Sequence, residues 1–154
     1  MKLLKLMYFA DRKALQRWGR PITFDAFVSM RNGPVLSRTY GLISGDSDRR
    51  DGSLWSEFIS APEGYDVALV GDCPTDQLSD AEVELLREVF KEFGHQNRWD
   101  LVDYAHTLPE WTDPGDSALP IEYANILTAG GWSEAEVAQI VSELEELALA
   151  DRLF

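Results

Sequence analysis

Apolar residues recur at three-and-four spacing over residues 2–18, where Leu3, Leu4, Leu6, Met7, Ala10, Ala14, Leu15 and Trp18 build one face of a helix. Tyr8 and Phe9 widen that face, so the helix is expected to be covered on more than one side. Gly19 is a natural residue to end it, with Pro21 as a stop. Its start has no capping residue, since apolar helical positions follow Met1 at once. Residues 24–30 then alternate: Phe24, Ala26, Val28 and Met30 on one side, Asp25, Phe27 and Ser29 on the other, the period of a half-buried strand. The pattern breaks at Asn32-Gly33, which tolerates positive φ, and Pro34 suits the first position of a helix running to Ile43. The six residues Met30, Arg31, Asn32, Gly33, Pro34 and Val35 are thus expected to turn strand into helix in one step.

Further along, the polar stretch 45–53 reads as a mobile surface loop. Residues 54–60 and 65–70 read as two strands joined by a turn at Ala61-Pro62-Glu63-Gly64. Ser79-Asp80-Ala81-Glu82 matches a capping box ahead of an apolar stripe that ends at Gly94. Helices are expected over 98–108, stopped by Pro109, and from Pro120 through Leu127, closed by Gly130-Gly131. Ser133-Glu134-Ala135-Glu136 is a second capping box, opening a last helix through Ala148 with an acidic outer face. The prediction is an α+β fold in one domain, mostly helical, with five or six helices around a small antiparallel sheet of about three strands.

Composition sharpens this picture. A chain of 154 residues with 45% hydrophobic residues and five Trp can bury a real core. No apolar run reaches bilayer length and no secretory signal is visible, which points to the cytoplasm. Cys73, the only cysteine, can form no internal disulfide and sits in a turn-like Asp-Cys-Pro context. The net charge of −13 is unevenly spread. Residues 1–38 hold eight Lys/Arg against two Asp, a net of +6, while the remainder holds six basic and 25 acidic residues, a net of −19. An acidic body repels phosphate backbones, so nucleic acid is not expected as the main ligand. It favours a basic protein partner, and the basic N-terminal segment can itself pair with the acidic body.

Little in the chain carries chemistry. His95 and His106 lack metal-ligand spacing, and no Gly-rich phosphate loop follows a strand, so neither metal nor cofactor is expected. The carboxylates of 80–92 and 134–146 lie on solvated helix faces. His106 has Asp103 and Glu110 near it in sequence, and a hydrolase or transferase using it is one reading. A hydrogen-bonded structural His106 is the other.

Taken in order, the motifs resemble a known family. Lys2-Leu3-Leu4-Lys5-Leu6-Met7-Tyr8-Phe9-Ala10-Asp11-Arg12 is similar to the opening helix of the Panacea family, the SocA-like antitoxins and phage-associated GepA-like proteins. Gly19-Arg20-Pro21-Ile22, the corner at 30–35, Ser37-Arg38 with Tyr40, Trp55-Ser56-Glu57, Ala105-His106-Thr107-Leu108-Pro109-Glu110-Trp111 and Pro120-Ile121 continue the likeness over nearly the whole chain. The resemblance implies a bacterial or phage antitoxin without enzymatic activity, neutralising a cognate protein toxin by direct contact. One branch of the family acts as a proteolytic adaptor for a ClpXP-type protease, which is the alternative the resemblance allows. Relatives usually carry a further helix before this segment, and the resemblance implies that the present sequence, with its uncapped start, lacks it. Residues placed for partner binding by type and by nearness to the motifs are Trp18, Met30, Arg31, Arg38, Tyr40 and Trp111. Asp11, Gly33, Pro34 and His106 are placed as structural motif residues.

Overall fold

The computed structural model describes residues 1–46 and 49–153. Among them the chain runs through α1 (Lys2–Trp18), β1 (Phe27–Ser29), β2 (Val35–Leu36), α2 (Ser37–Ser44), α3 (Arg49–Phe58), α4 (Asp80–Phe93), α5 (Arg98–His106), β3 (Leu119–Ile121), α6 (Tyr123–Ala129) and α7 (Glu134–Leu153). Seven helices and one three-stranded antiparallel sheet among the described residues make this an α+β fold, mostly helical, as the pattern predicts. The sheet has the order β2-β1-β3, with Phe27 opposite both Leu36 and Ile121.

The termini obey local chemistry. Gly19 closes α1 in the left-handed region, φ 73°, and its N–H donates to the Leu15 carbonyl. Ser79 and Glu82 form a reciprocal capping box on α4, and Ser133 with Glu136 do the same for α7. Asn97 caps α5 by accepting from the Trp99 and Asp100 N–H groups.

Three expectations for the sheet fail. Residues 54–58 belong to α3, not to a strand: Leu54, Trp55 and Phe58 are spaced for one helix face, and the Ile59 N–H still donates to the Trp55 carbonyl. The segment 65–70 keeps only an isolated pairing of Leu69 with Ile59 and a tight Glu63–Asp66 turn. The third strand comes instead from 119–121, where a helix start was expected. Pro120 has no N–H to offer a ladder, but β3 is an edge strand and tolerates it, and α6 begins at Tyr123. The loop expected over 45–53 is also shorter, because Arg49 opens α3; Ser47 and Asp48 lie outside the described residues. The strand expected over 24–30 contracts to 27–29, since Phe24 stands at φ 53° and interrupts extended backbone.

Helix α1 packs against α4, α5, α6 and β2, which accounts for the width of its apolar face. Phe9 is the hub of an aromatic cluster, 4.8 Å from the Phe93 ring and 5.2 Å from that of Tyr104, between centroids. Tyr8 extends the same core to Phe27 at 5.5 Å, and Phe27 reaches Tyr123 at 5.1 Å. Leu15, Leu36, Leu101, Ile126 and Leu127 fill the rest. Truncation of the hub, Phe9→Ala, is expected to cost about 3–5 kcal/mol of stability, read from urea unfolding.

Candidate functional site

The corner at 30–35 is a hairpin turn before it is anything else. The Gly33 N–H donates to the Met30 carbonyl at 2.9 Å, and the chain then pairs Val35 and Leu36 with β1. Strand becomes helix only at Ser37, so the single-step turn predicted from Asn32-Gly33-Pro34 is corrected to turn, short strand, then helix. Gly33 alone supplies the positive φ, at 91°; Asn32 does not. Pro34 sits in the turn's exit, not at a helix start, because Val35 and Leu36 pair with β1 before α2 begins.

Side chains from α1, α5 and the segment after α5 hold that turn by its backbone. Lys5, on α1 and fully buried, donates from Nζ to the Pro34 carbonyl at 2.8 Å. Trp111 donates from Nε1 to the Met30 carbonyl at 3.0 Å, and His106 Nε2 meets the Arg31 carbonyl at 3.1 Å. His106 and Trp111 stack with centroids 4.0 Å apart. Burial pushes the Lys5 ammonium down to about 7, well below its ordinary range. Its hydrogen bond survives either protonation state, since the neutral amine still donates.

Lys5 belongs to a polar row on α1 at positions 5, 8 and 12, with Asp11 beside it. Tyr8 donates its hydroxyl to Glu110 Oε1 at 2.9 Å, and Arg12 grips both oxygens of the same carboxylate, at 2.5 and 3.2 Å. The Glu110 side chain has no exposure to solvent. Burial first, and the Glu110 charge second, raise the Tyr8 hydroxyl far above its ordinary range. Asp11 accepts from the Ile22 and Thr23 N–H groups at 2.8 and 3.1 Å and from the Thr23 hydroxyl, pinning the exit from α1. Burial drives its carboxyl up against these donors. Asp25 does the same for α2, accepting from the N–H groups of Arg38 and Thr39, at 2.8 and 2.9 Å, in place of a capping residue at Leu36. Lys5, Tyr8, Arg12 and Asp25 were not singled out from the sequence, and Glu110 only as a neighbour of His106. The signal for the α1 set was a polar residue recurring at helical spacing inside an apolar stripe.

Beside the corner lies an open groove of about 670 Å³, floored by Leu4, Gly33 and Val35 and walled by Met30, Tyr40 and the 62–67 turn. Of the residues placed for partner binding, Met30 and Tyr40 line this groove, and Tyr40 is 41% exposed. Arg31 and Trp111 belong to the corner, Arg31 pairing with Asp116 across 3.3 Å of exposed surface. Arg38 is exposed on α2. Trp18 is not brought to this face: it ends α1, roughly 20 Å of helix from Lys5. His106 stacks on Trp111 with Nε2 at the Arg31 carbonyl, and Glu110 is engaged by Tyr8 and Arg12. No group of His, Cys, Asp or Glu among the described residues could hold a metal ion. No described helix is long and apolar enough to cross a membrane.

The corner is thus held by its carbonyls and set beside an open groove. The chain belongs to the SocA-like antitoxin family of the Panacea domain, whose family model matches residues 3–112. That span takes in α1 to α5, the whole corner and Glu110, while β3, α6 and α7 lie beyond it. No curated protein matches the chain, and no solved structure does.

Two outcomes follow from this geometry. A Cβ on Gly33 would lie 3.0 Å from both Ala105 Cβ and Lys5 Nζ, at a φ that β-branched residues avoid. Gly33→Val is therefore expected to cost about 2–5 kcal/mol in chemical unfolding, whereas Arg31→Glu, at an exposed pair, changes stability by about 0.5 kcal/mol or less. Lys5 supplies a pH signature. Folded, it loses its proton near 7; unfolded, it keeps it to its ordinary value of 10.5. Between those values the unfolded chain binds more protons, so stability rises with pH over that window, and the cost of the buried ammonium is fully present below it. Unfolding free energies from about pH 7 to about pH 9 should rise in the parent protein and rise markedly less in Lys5→Met.

Proposed function

We propose that this protein is an antitoxin that neutralises a partner toxin by direct protein–protein contact in the bacterial cytoplasm. Membership of the SocA-like antitoxin family over residues 3–112 carries the reading. The corner and groove supply the surface: Met30 and Tyr40 present apolar and aromatic area beside it, on backbone that cannot yield. A binding surface mounted on such a support loses little conformational entropy on association. The net charge of −13 selects for a partner with basic surface and disfavours nucleic acid.

Co-expression with the product of the adjacent gene tests this directly. That product should arrest growth alone and be tolerated with this protein present. Tyr40→Ala should weaken their complex about tenfold or more while leaving the unfolding midpoint close to that of the parent. A harmless neighbour, or one still toxic in the pair, removes the antitoxin reading. The partner's half-life in the pair separates stable sequestration from delivery to a ClpXP-type protease, the adaptor reading, in which it would fall.

A further inference from the structure

The segment 65–70 pairs on one side only. The Ser60 N–H donates to the Ala68 carbonyl and the Val70 N–H to the Phe58 carbonyl, both at 2.8 Å, with Leu69 opposite Ile59 between them. By antiparallel alternation, the N–H and C=O groups of Val67 and Leu69 face the other way. None of these four groups takes a hydrogen bond among the described residues. Leu69 and Val70 are 61% and 59% exposed. The edge is thus open, apolar and ready for pairing, the kind that natural proteins guard.

What guards it is charge of one sign. Glu57, Glu63, Asp66, Asp72 and Asp76 are all exposed, and no Lys or Arg occurs from residue 51 to residue 86. At the turn end of the segment Arg98 lies over the Tyr65 ring, and the N-terminal ammonium feels the Asp66 charge. Such a border repels a second copy of the same edge and attracts a basic strand. Tyr65 and Val67 also line the groove beside the corner, so an added strand would run along its rim.

We propose that residues 67–71 are a docking edge for an extended, basic segment of a partner protein, which adds a strand by backbone pairing and is selected by the acidic border. The inference rests on the antitoxin reading, in that the partner is the neutralised toxin. Leu69→Pro removes only an outward N–H, and Asp66→Lys with Asp72→Lys reverses the border at exposed positions; the adjacent-gene product is the probe. Both variants should keep the parent's far-UV circular dichroism and lose at least about tenfold in affinity, and amide exchange at Val67 and Leu69 should slow when the probe binds. Retained affinity in the charge-reversed protein, or unprotected amides in the bound parent, overturns the edge proposal while growth rescue leaves the antitoxin reading standing. Protection of those amides by self-association without the probe would identify a second copy as the occupant and equally overturn it. Failure of the parent to bind the probe removes both.

Discussion

The buried amine of Lys5 against the Pro34 carbonyl is the contact on which the arrangement turns. A carbonyl at the exit of a tight turn has no strand or helix partner, and leaving it dry would cost about 1–3 kcal/mol. Burying an amine is costly too, and Lys5 responds by giving up its proton near neutrality. Each group satisfies the other, and in doing so they fix the distance between α1 and the corner. Gly33 completes the fit, because anything larger would press on the amine and on Ala105. Tyr8, Arg12 and Glu110 repeat the device one and two turns along α1, tying it to the segment that carries Trp111. Buried polar contacts of this kind add less to stability than to uniqueness: a helix held at several specific points cannot slide or rotate on its apolar face.

Electrostatics is organised at a second level, outside the core. The basic α1 segment meets acidic α4 through Lys13 with Glu92, Arg17 with Glu88 and, just past the helix end, Arg20 with Glu82. Exposed pairs contribute little each, but they consume the positive charge of the N-terminal segment within the molecule. The acidic surface from residue 51 to residue 86 has few internal partners by comparison, Glu82 with Arg20 and Glu84 with Arg87 among them. It is therefore the 54–76 region, and not the basic helix, that leaves unbalanced charge at the surface. The open edge at Val67 and Leu69 lies within it.

Much of this fold was legible because helices announce themselves locally. The capping boxes at Ser79 and Ser133, the left-handed Gly19 and the stripe from Val83 to Phe93 need only neighbours in sequence. Strand assignments depended on partners far away. Residues 54–58 read as strand from a short apolar run, but Trp55 and Phe58 took the helix. Pro120 suits either a helix start or an edge strand, and only the vacant side of β1 decided between them. The candidate site divides in the same way. Gly33 and Pro34 could be placed in a turn from their own chemistry, but their roles depend on Lys5, which is 29 residues away from Pro34. His106 and Trp111, drawn from a single short motif, turned out to serve the same corner from one stacked pair.

The amino-acid order by itself determined where α1 ends and where α4, α5 and α7 begin, that the chain carries a basic front and an acidic body, and that residues 30–35 must turn. Those are consequences of backbone freedom, capping chemistry and charge count, all properties of a few adjacent residues. The tertiary structure alone decided which polar side chains of α1 would be buried and against what, which segment would complete the sheet, and which edge would stay open. Each of those outcomes is a pairing between groups separated by tens of residues, and a donor finds its acceptor only once the core has brought them within 3 Å of one another.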